Sequence, residues 1–302
     1  MALRAAFGDV LEPGFRKIFD DRYSEIPQMF TEVFRVNSSE RNLERDSAVS
    51  GFGLLSQTAE NDPIQYEDPV AMYDVSYVHL KYTKGFKISE ELYEDDLYNI
   101  MNRKPAALAR SARRTAEYYA ASVFNNAFST SYTGGDAKPL CSTGHTRADG
   151  GTAQSNASAT GVILSETNLF TGQLAMRGQL DDKGMKIMAK GKTILVPADL
   201  EKMAAILTES NGRPSTADND TNVYRGMKYK VWDYLSSTTA WFLIDDSVHE
   251  LNWFWRIKPE FKQDNSFDSG AALYKTRTRF SKGWSDWRGV WGSKGDGAAY
   301  SS

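Results

Sequence analysis

From Gly51 the chain alternates between polar and apolar positions in short runs, which is the period of strands rather than helices. In GFGLLSQTAENDPIQYEDPVAMYDVSYVHLKYTKGFKI, turn signals stand at Asn61-Asp62-Pro63 and Glu67-Asp68-Pro69. Beyond them Val78, Leu80, Tyr82, Lys84, Phe86 and Ile88 share one face at a period of two. The pattern predicts a long β-hairpin over residues 51–84 with a glycine-rich tip. A lone hairpin is marginal in water, so something else has to cover it. Residues 1–50 carry only short apolar clusters (Phe15, Ile18, Phe19, then Met29, Phe30, Val33, Phe34) and the polar run NSSERNLERDS, whose charges nearly cancel. This segment reads as an arm lying on something else, with no partner of its own in the chain.

Ser89 followed by Glu90 and Glu91 marks a helix start. Pro105 suits the first turn of a second helix, and Leu108, Ala112, Ala116, Tyr119, Val123 and Ala127 then recur at helical spacing. The spacing predicts a helix over 105–128, about 36 Å long at 1.5 Å per residue. Charges segregate along this stretch: Glu90, Glu91, Glu94, Asp95 and Asp96 come first, then Arg103, Lys104, Arg110, Arg113 and Arg114. They form either a solvated face with pairs such as Arg113 with Glu117, or ends that meet neighbouring copies.

A turn-rich connector over residues 129–161 is anchored by Leu140 and Cys141. A helix follows in LSETNLFTGQLAMRGQ, capped by Ser165 or Thr167. GKTILVP reads as a buried strand, PADLEKMAAILTES as a helix burying Leu200, Met203, Ala204 and Leu207, and NGRPSTADNDTN as a polar loop. Strands return in MKYKVWDYL, AWFLIDD and HELNWFWRIK. Further on, Ala272, Tyr274, Thr276, Thr278 and Phe280 alternate with Leu273, Lys275, Arg277, Arg279 and Ser281. That is a strand with one packed and one basic face. The fold class is α+β.

Charge decides how residues 274–295 are read, with their six basic residues and three tryptophans against one acid. Interleaved cations and rings suit a single-stranded nucleic-acid groove. A net charge of −3 over 302 residues argues against a chain devoted to that task. Trp284, Trp287 and Trp291, three and four apart, instead cover apolar surface. Cys141 is the single cysteine, which leaves no intrachain disulfide and suits a reducing cytoplasm. The start lacks a signal peptide's apolar run, and no segment approaches the roughly 18 apolar residues of a membrane span.

Chemical motifs fail on context. Gly191-Lys192-Thr193 ends like a phosphate loop, but Lys186 stands where its first glycine belongs and a strand follows. Gly51-Phe52-Gly53 with Ser56 lacks the strand-to-helix setting of a dinucleotide site. Cys141 and His145 resemble a thiol nucleophile with its base, without a third group to orient them. His79 and His249 lack metal-ligand spacing. No catalytic, cofactor-binding or metal residue is assigned, and neither enzyme activity nor a cofactor is expected.

Taken in order, the polar arm, hairpin and long helix, then YTGGDAKPLCSTGHTRADGG with Asn156, KTILVPADLEKMAAIL and DWRGVWGSKG resemble the major head subunits of Mu-type tailed bacteriophages. That resemblance implies the Hong Kong 97 type of capsid fold. It divides the chain into an N-terminal arm (1–50), an extended β-hairpin loop (51–84), a peripheral domain (85–159) with spine helix 105–128, an axial domain (160–262) and a peripheral return strand with the C-terminus (263–302). It implies a structural protein that self-assembles as hexamers and pentamers into an icosahedral shell around double-stranded DNA. The shell would form in the host bacterial cytoplasm and remain in the virion.

Implied partners are a separate scaffolding protein, a portal, head-decoration proteins and weakly held DNA, with no membrane. The interface candidates are Phe52, Leu54 and Leu55 on the loop, Glu94, Asp95, Arg110 and Arg113 around the helix, and Arg277 and Arg279 on the return strand. A subunit lacking residues 1–35 is expected to fold yet assemble poorly. Residues 51–80 contain no lysine, so the lysine crosslink made by some members of the fold is not expected. The alternatives are an encapsulin-like cellular shell and, more remotely, a hydrolase using Cys141 and His145.

Overall fold

The computed structural model describes residues 7–69, 71–95, 100–213, 220–266 and 271–300. In chain order, α1 (Phe7–Glu25) and the single turn α2 (Phe30–Val33) precede β1 (Arg35–Ser38), β2 (Leu43–Val49), β3 (Ala71–Val78) and β4 (Leu80–Ile88). Then come α3 (Glu90–Glu94), α4 (Ile100–Asn125), α5 (Glu166–Gly178), β5 (Thr193–Val196) and α6 (Glu201–Glu209). β6 (Lys228–Val231), β7 (Trp241–Ile244), β8 (Leu251–Asn265), β9 (Ala272–Trp284) and β10 (Val290–Ser293) complete the mixed α+β set. These elements fall into two units. The first takes in Met1–Glu44, Tyr77–Ala120 and Trp253–Lys282, the second Arg45–Ser76, Ala121–Asn252 and Gly283–Ser302.

The first unit is built on a sheet of order β1-β8-β9-β4. β9 follows the alternation of its sequence, with Ala272, Tyr274, Thr276, Thr278 and Phe280 buried and Lys275 exposed. Ser281 departs from it and is buried. β4 runs antiparallel to β9, from Leu80 opposite Phe280 to Ile88 opposite Ala272. Helix α4 occupies 100–125 where the periodicity predicts 105–128, with Pro105 inside it rather than at its first turn. Leu108, Ala109 and Ala112 of α4 pack with Ile88, Phe261, Ala272 and Tyr274, and with Phe15 and Phe19 of α1.

Those last two residues correct the reading of residues 1–50. Phe15 packs edge-on to Tyr274 with centroids 5.1 Å apart, Phe19 meets Phe261 at 5.4 Å, and Phe30 meets Trp253 at 4.6 Å. The arm's apolar residues have partners in their own chain. Pro13 and Gly14 hid the helix, although Phe15, Ile18, Phe19 and Tyr23 recur at helical spacing along α1.

The hairpin also needs correcting. β3 pairs with β2 in a two-stranded sheet, while β4 joins β9. The paired arms are therefore 43–49 and 71–78, joined by residues 50–70, and residues 80–88 lie outside the hairpin. Burial changes phase at the junction: Tyr77 and His79 face inward, whereas Val78 and Leu80 are exposed. The inward turn of His79 breaks the single period-two run that the sequence suggests.

The second unit holds a sheet of order β10-β7-β5-β6, with β5 parallel to β6 and antiparallel to β7. Every residue of β5 and β7 is buried, as two-sided cover demands. Ser165 caps α5 by accepting from the Asn168 N–H. α5 packs on β10, and α6 packs on β6 and β5. Gly172 allows the close approach of α5, because a Cβ there would lie 2.8 Å from Leu243 Cδ1 and 3.0 Å from the Trp291 ring. α6 buries Ala204 and Leu207, and Leu200 in the turn before it is half-buried, but Met203 is left exposed, against expectation.

Candidate assembly surfaces

Between β2 and β3, residues 51–69 have no strand or helix of their own. Phe52, Ile64 and Tyr66 are exposed, Leu54 is 87% exposed and Leu55 99%. The base of this loop is held: the Glu67 carboxylate accepts from the Gly53 N–H at 2.8 Å and pairs with the Lys183 ammonium at 2.7 Å. These contacts, Lys183 first, hold the Glu67 carboxyl below its ordinary range. So the root is fixed, and the apolar side chains beside it are presented to solvent. A cluster of large apolar side chains with no cover is the mark of an interaction surface.

The charged candidates divide. Glu94, Asp95 and Arg110 are exposed; Asp96 and the centre of the polar loop, residues 214–219, lie outside the described residues. Arg113 is not a surface residue: it is 2% exposed, with its guanidinium 4.2 Å from the Tyr23 ring centroid. Once α1 covers this face of α4, Arg113 turns inward, and a sequence reading without α1 placed it in solvent. Burial raises the Tyr23 hydroxyl pKa, and the Arg113 charge works against that rise. Arg277 is half-buried and meets Glu260 of its own chain, at 2.7 Å from Nε and 2.6 Å from an Nη. Such a half-exposed pair contributes only about 0–1 kcal/mol. Arg279 is also half-buried and lies opposite Lys81 across the sheet, with no ion pair among the described residues.

Cys141 and His145 do not form a catalytic pair. His145 Nδ1 lies 2.6 Å from an Asp136 carboxylate oxygen, its Nε2 donates to Asn156 Oδ1 at 3.0 Å, and its ring stacks on Trp287 at 4.2 Å. Asp136 is an orienting group that the sequence did not reveal, but both ring nitrogens are engaged away from Cys141. The Cys141 side chain is fully buried, and burial pushes its thiol pKa up, against thiolate formation.

Asn156 is the centre of this buried network. Its Nδ2 donates to the Leu140 and Val290 carbonyls at 2.8 and 3.1 Å, while Oδ1 also accepts from the Ser142 N–H at 2.8 Å. Asn156→Leu would strand several buried polar groups at about 1–3 kcal/mol each. Calorimetry should show a loss of about 3 kcal/mol or more. A loss under about 1 kcal/mol would contradict the network's structural role.

Sequence reasoning missed a second network. His79 Nε2 lies 3.0 Å from Ser39 Oγ and its Nδ1 3.0 Å from Ser281 Oγ, while Ser39 donates to Glu44 at 2.6 Å. The partners stand 40 and 202 residues away, so no local spacing betrays them. Burial lowers the His79 pKa, with Arg279 and Arg256 acting in the same direction and Glu44 against. The unfolded chain therefore takes up the proton first. This contribution to stability is full above about pH 6.5 and is lost as pH falls through the lower folded value. Melting temperatures followed from pH 7.5 to 5 should fall more steeply for the native chain than for His79→Gln. Parallel profiles would sink the assignment.

Among the described residues, no group of three or more His, Cys, Asp or Glu could hold a metal ion, and no helix is long and apolar enough to cross a membrane. No curated protein matches the chain. Among solved structures, the bacteriophage JBD30 capsid matches with a TM-score of 0.55 at 12% identity, over 70% of this chain and 92% of that one. A chain of Mycobacterium phage Adephagia gives 0.51 at 12% identity, over 92% and 88%. The virus-like particle from Pyrococcus furiosus gives 0.54 at 8% identity, over 92% and 97%. At these identities the likeness is one of fold. The family model described as phage capsid protein matches residues 73–293, well over half of the chain, and the chain belongs to that family as a structural subunit of a phage head shell.

Proposed function

We propose that copies of this chain close, as hexamers and pentamers, into the icosahedral head of a tailed bacteriophage of Mu type around double-stranded DNA. The uncovered apolar residues of the loop 51–69 carry the reading, because they need cover that their own chain does not give them. They lie across a neighbouring copy, and many modest contacts of this kind sum through repetition. The first unit serves as the peripheral domain with α4 as its spine, and the second holds the axial domain near the capsomer centre. With a net charge of −3, the shell holds its DNA weakly and without sequence preference. A separate scaffolding protein, a portal and head-decoration proteins complete the particle. Assembly takes place in the host bacterial cytoplasm.

A cellular shell of the same fold remains the alternative. The phage capsid family match favours the viral reading, while the likeness to the Pyrococcus particle is one of fold. The buried Cys141 and engaged His145 speak against the hydrolase. Mass photometry of the purified protein tests the proposal. Particles of megadalton mass are expected; a population that stays at the 33.8 kDa monomer under every assembly condition would overturn it.

A further inference from the structure

We infer that α5 and α6 are the two halves of one head-to-tail contact, with the α5 face of each copy seated on the α6 face of the next around a ring. The inference deepens the shell reading and rests on it.

The sheet order places the helices. α5 packs on β10 and α6 on β6 and β5, at opposite ends of the order β10-β7-β5-β6. Three strand spacings of about 4.8 Å separate the outer strands by about 14 Å. Both helices bury their inner residues in one core: Leu169 and Met176 from α5, Ala204 and Leu207 from α6. Each then has a second apolar face, which a helix at a solvated surface does not need.

On α5, Phe170 and Leu174 stand one turn apart and are 58% and 59% exposed. Arg177 follows at the next turn on the same face. On α6, Met203 and Ile206 are 42% and 40% exposed, and exposed Glu209, which accepts from the Tyr229 hydroxyl at 3.0 Å, follows one turn after Ile206.

Charge sets the partner. Exposed Arg177, Lys186 and Lys190 belong to α5 and the segment after it, and Arg177 has no ion pair among the described residues. Exposed Asp199, Glu201 and Glu209 belong to α6 and the turn before it, with Lys202 the one base among them. The α5 face would repel its own copy, and so would the α6 face. Each suits the other. Two different faces that fit one another make a heterologous contact, which closes into a ring when the rotation allows. The apolar residues supply the driving force, and the charges set register and reject the self-paired arrangement.

Cysteine trapping on the full chain tests this, because the native Cys141 is buried. Leu174→Cys with Met203→Cys, assembled and oxidised with copper phenanthroline, should give a ladder of linked subunits on a non-reducing gel. Each single variant should stay monomeric on that gel. Dimers from Leu174→Cys alone would overturn the inference, because α5 would then pair with itself. So would shells of the double variant, seen by electron microscopy, that yield no ladder. As a second arm, Arg177→Glu should cut particle yield at least tenfold while circular dichroism stays unchanged, and adding Glu209→Arg should restore it. Normal yield from Arg177→Glu counts against the contact. An unmodified chain that forms neither rings nor shells overturns the shell reading itself, and is scored separately from the variants.

Discussion

A chain lacking residues 1–35 should fail to fold its first unit, rather than fold and assemble badly. Phe15, Phe19, Phe30, Val33 and Phe34 are all buried. Fully burying such a side chain contributes about 1.5–3 kcal/mol. Losing all five removes about 7.5–15 kcal/mol, against a total stability of about 5–15 kcal/mol for a typical protein. The truncation also bares their partners Tyr274, Phe261 and Trp253. Aggregation on expression, or loss of the cooperative thermal transition, is the expected observation. A soluble truncated subunit melting within a few degrees of the full chain would show that α1 and α2 are dispensable cover.

Replacing the loop's exposed apolar residues should do the opposite, abolishing shells while sparing the fold. In the variant Phe52→Ser, Leu54→Ser, Leu55→Ser, every altered side chain is exposed in the subunit, so folding loses little. Surface changes of this kind usually lie within about 0.5 kcal/mol. On the proposed contact, burying these three residues against a neighbouring copy would contribute about 1.5–3 kcal/mol each, and the loss would recur at every loop in the shell. Light scattering should report no particles where the native chain forms them, with melting temperatures matching to within about 2 °C. Shells of the variant in normal yield would show that these residues make no assembly contact.

The sequence showed most where an element's own pattern decides which of its residues are buried. The alternation from Ala272 to Phe280 named the packed face of β9, and Ile194, Leu195 and Val196 declared a strand covered on both sides. It showed least where burial depends on distant partners. Arg113 looked like a surface cation because nothing local says that α1 lies over it. His79 looked like an ordinary strand residue because Ser39 and Ser281 are brought to it only by the fold. The hairpin was legible as an extended excursion with turn signals. Its pairing was not, since one period-two run spans β3 and β4 although they belong to different sheets. On the candidate surface, Phe52, Leu54 and Leu55 were readable as apolar residues in a turn-rich loop. Phe170 and Leu174 were not, because a helix with two apolar faces gives no sign of which face the core takes.

The central claim is that residues 51–69 leave their own subunit to complete a neighbour. A cryo-electron-microscopy reconstruction of the assembled particle tests it most directly. The expected map shows a closed shell in which density for Phe52, Leu54 and Leu55 lies buried against an adjacent copy. A closed shell with the segment folded back on its own subunit, or with these side chains open to solvent, would contradict the account.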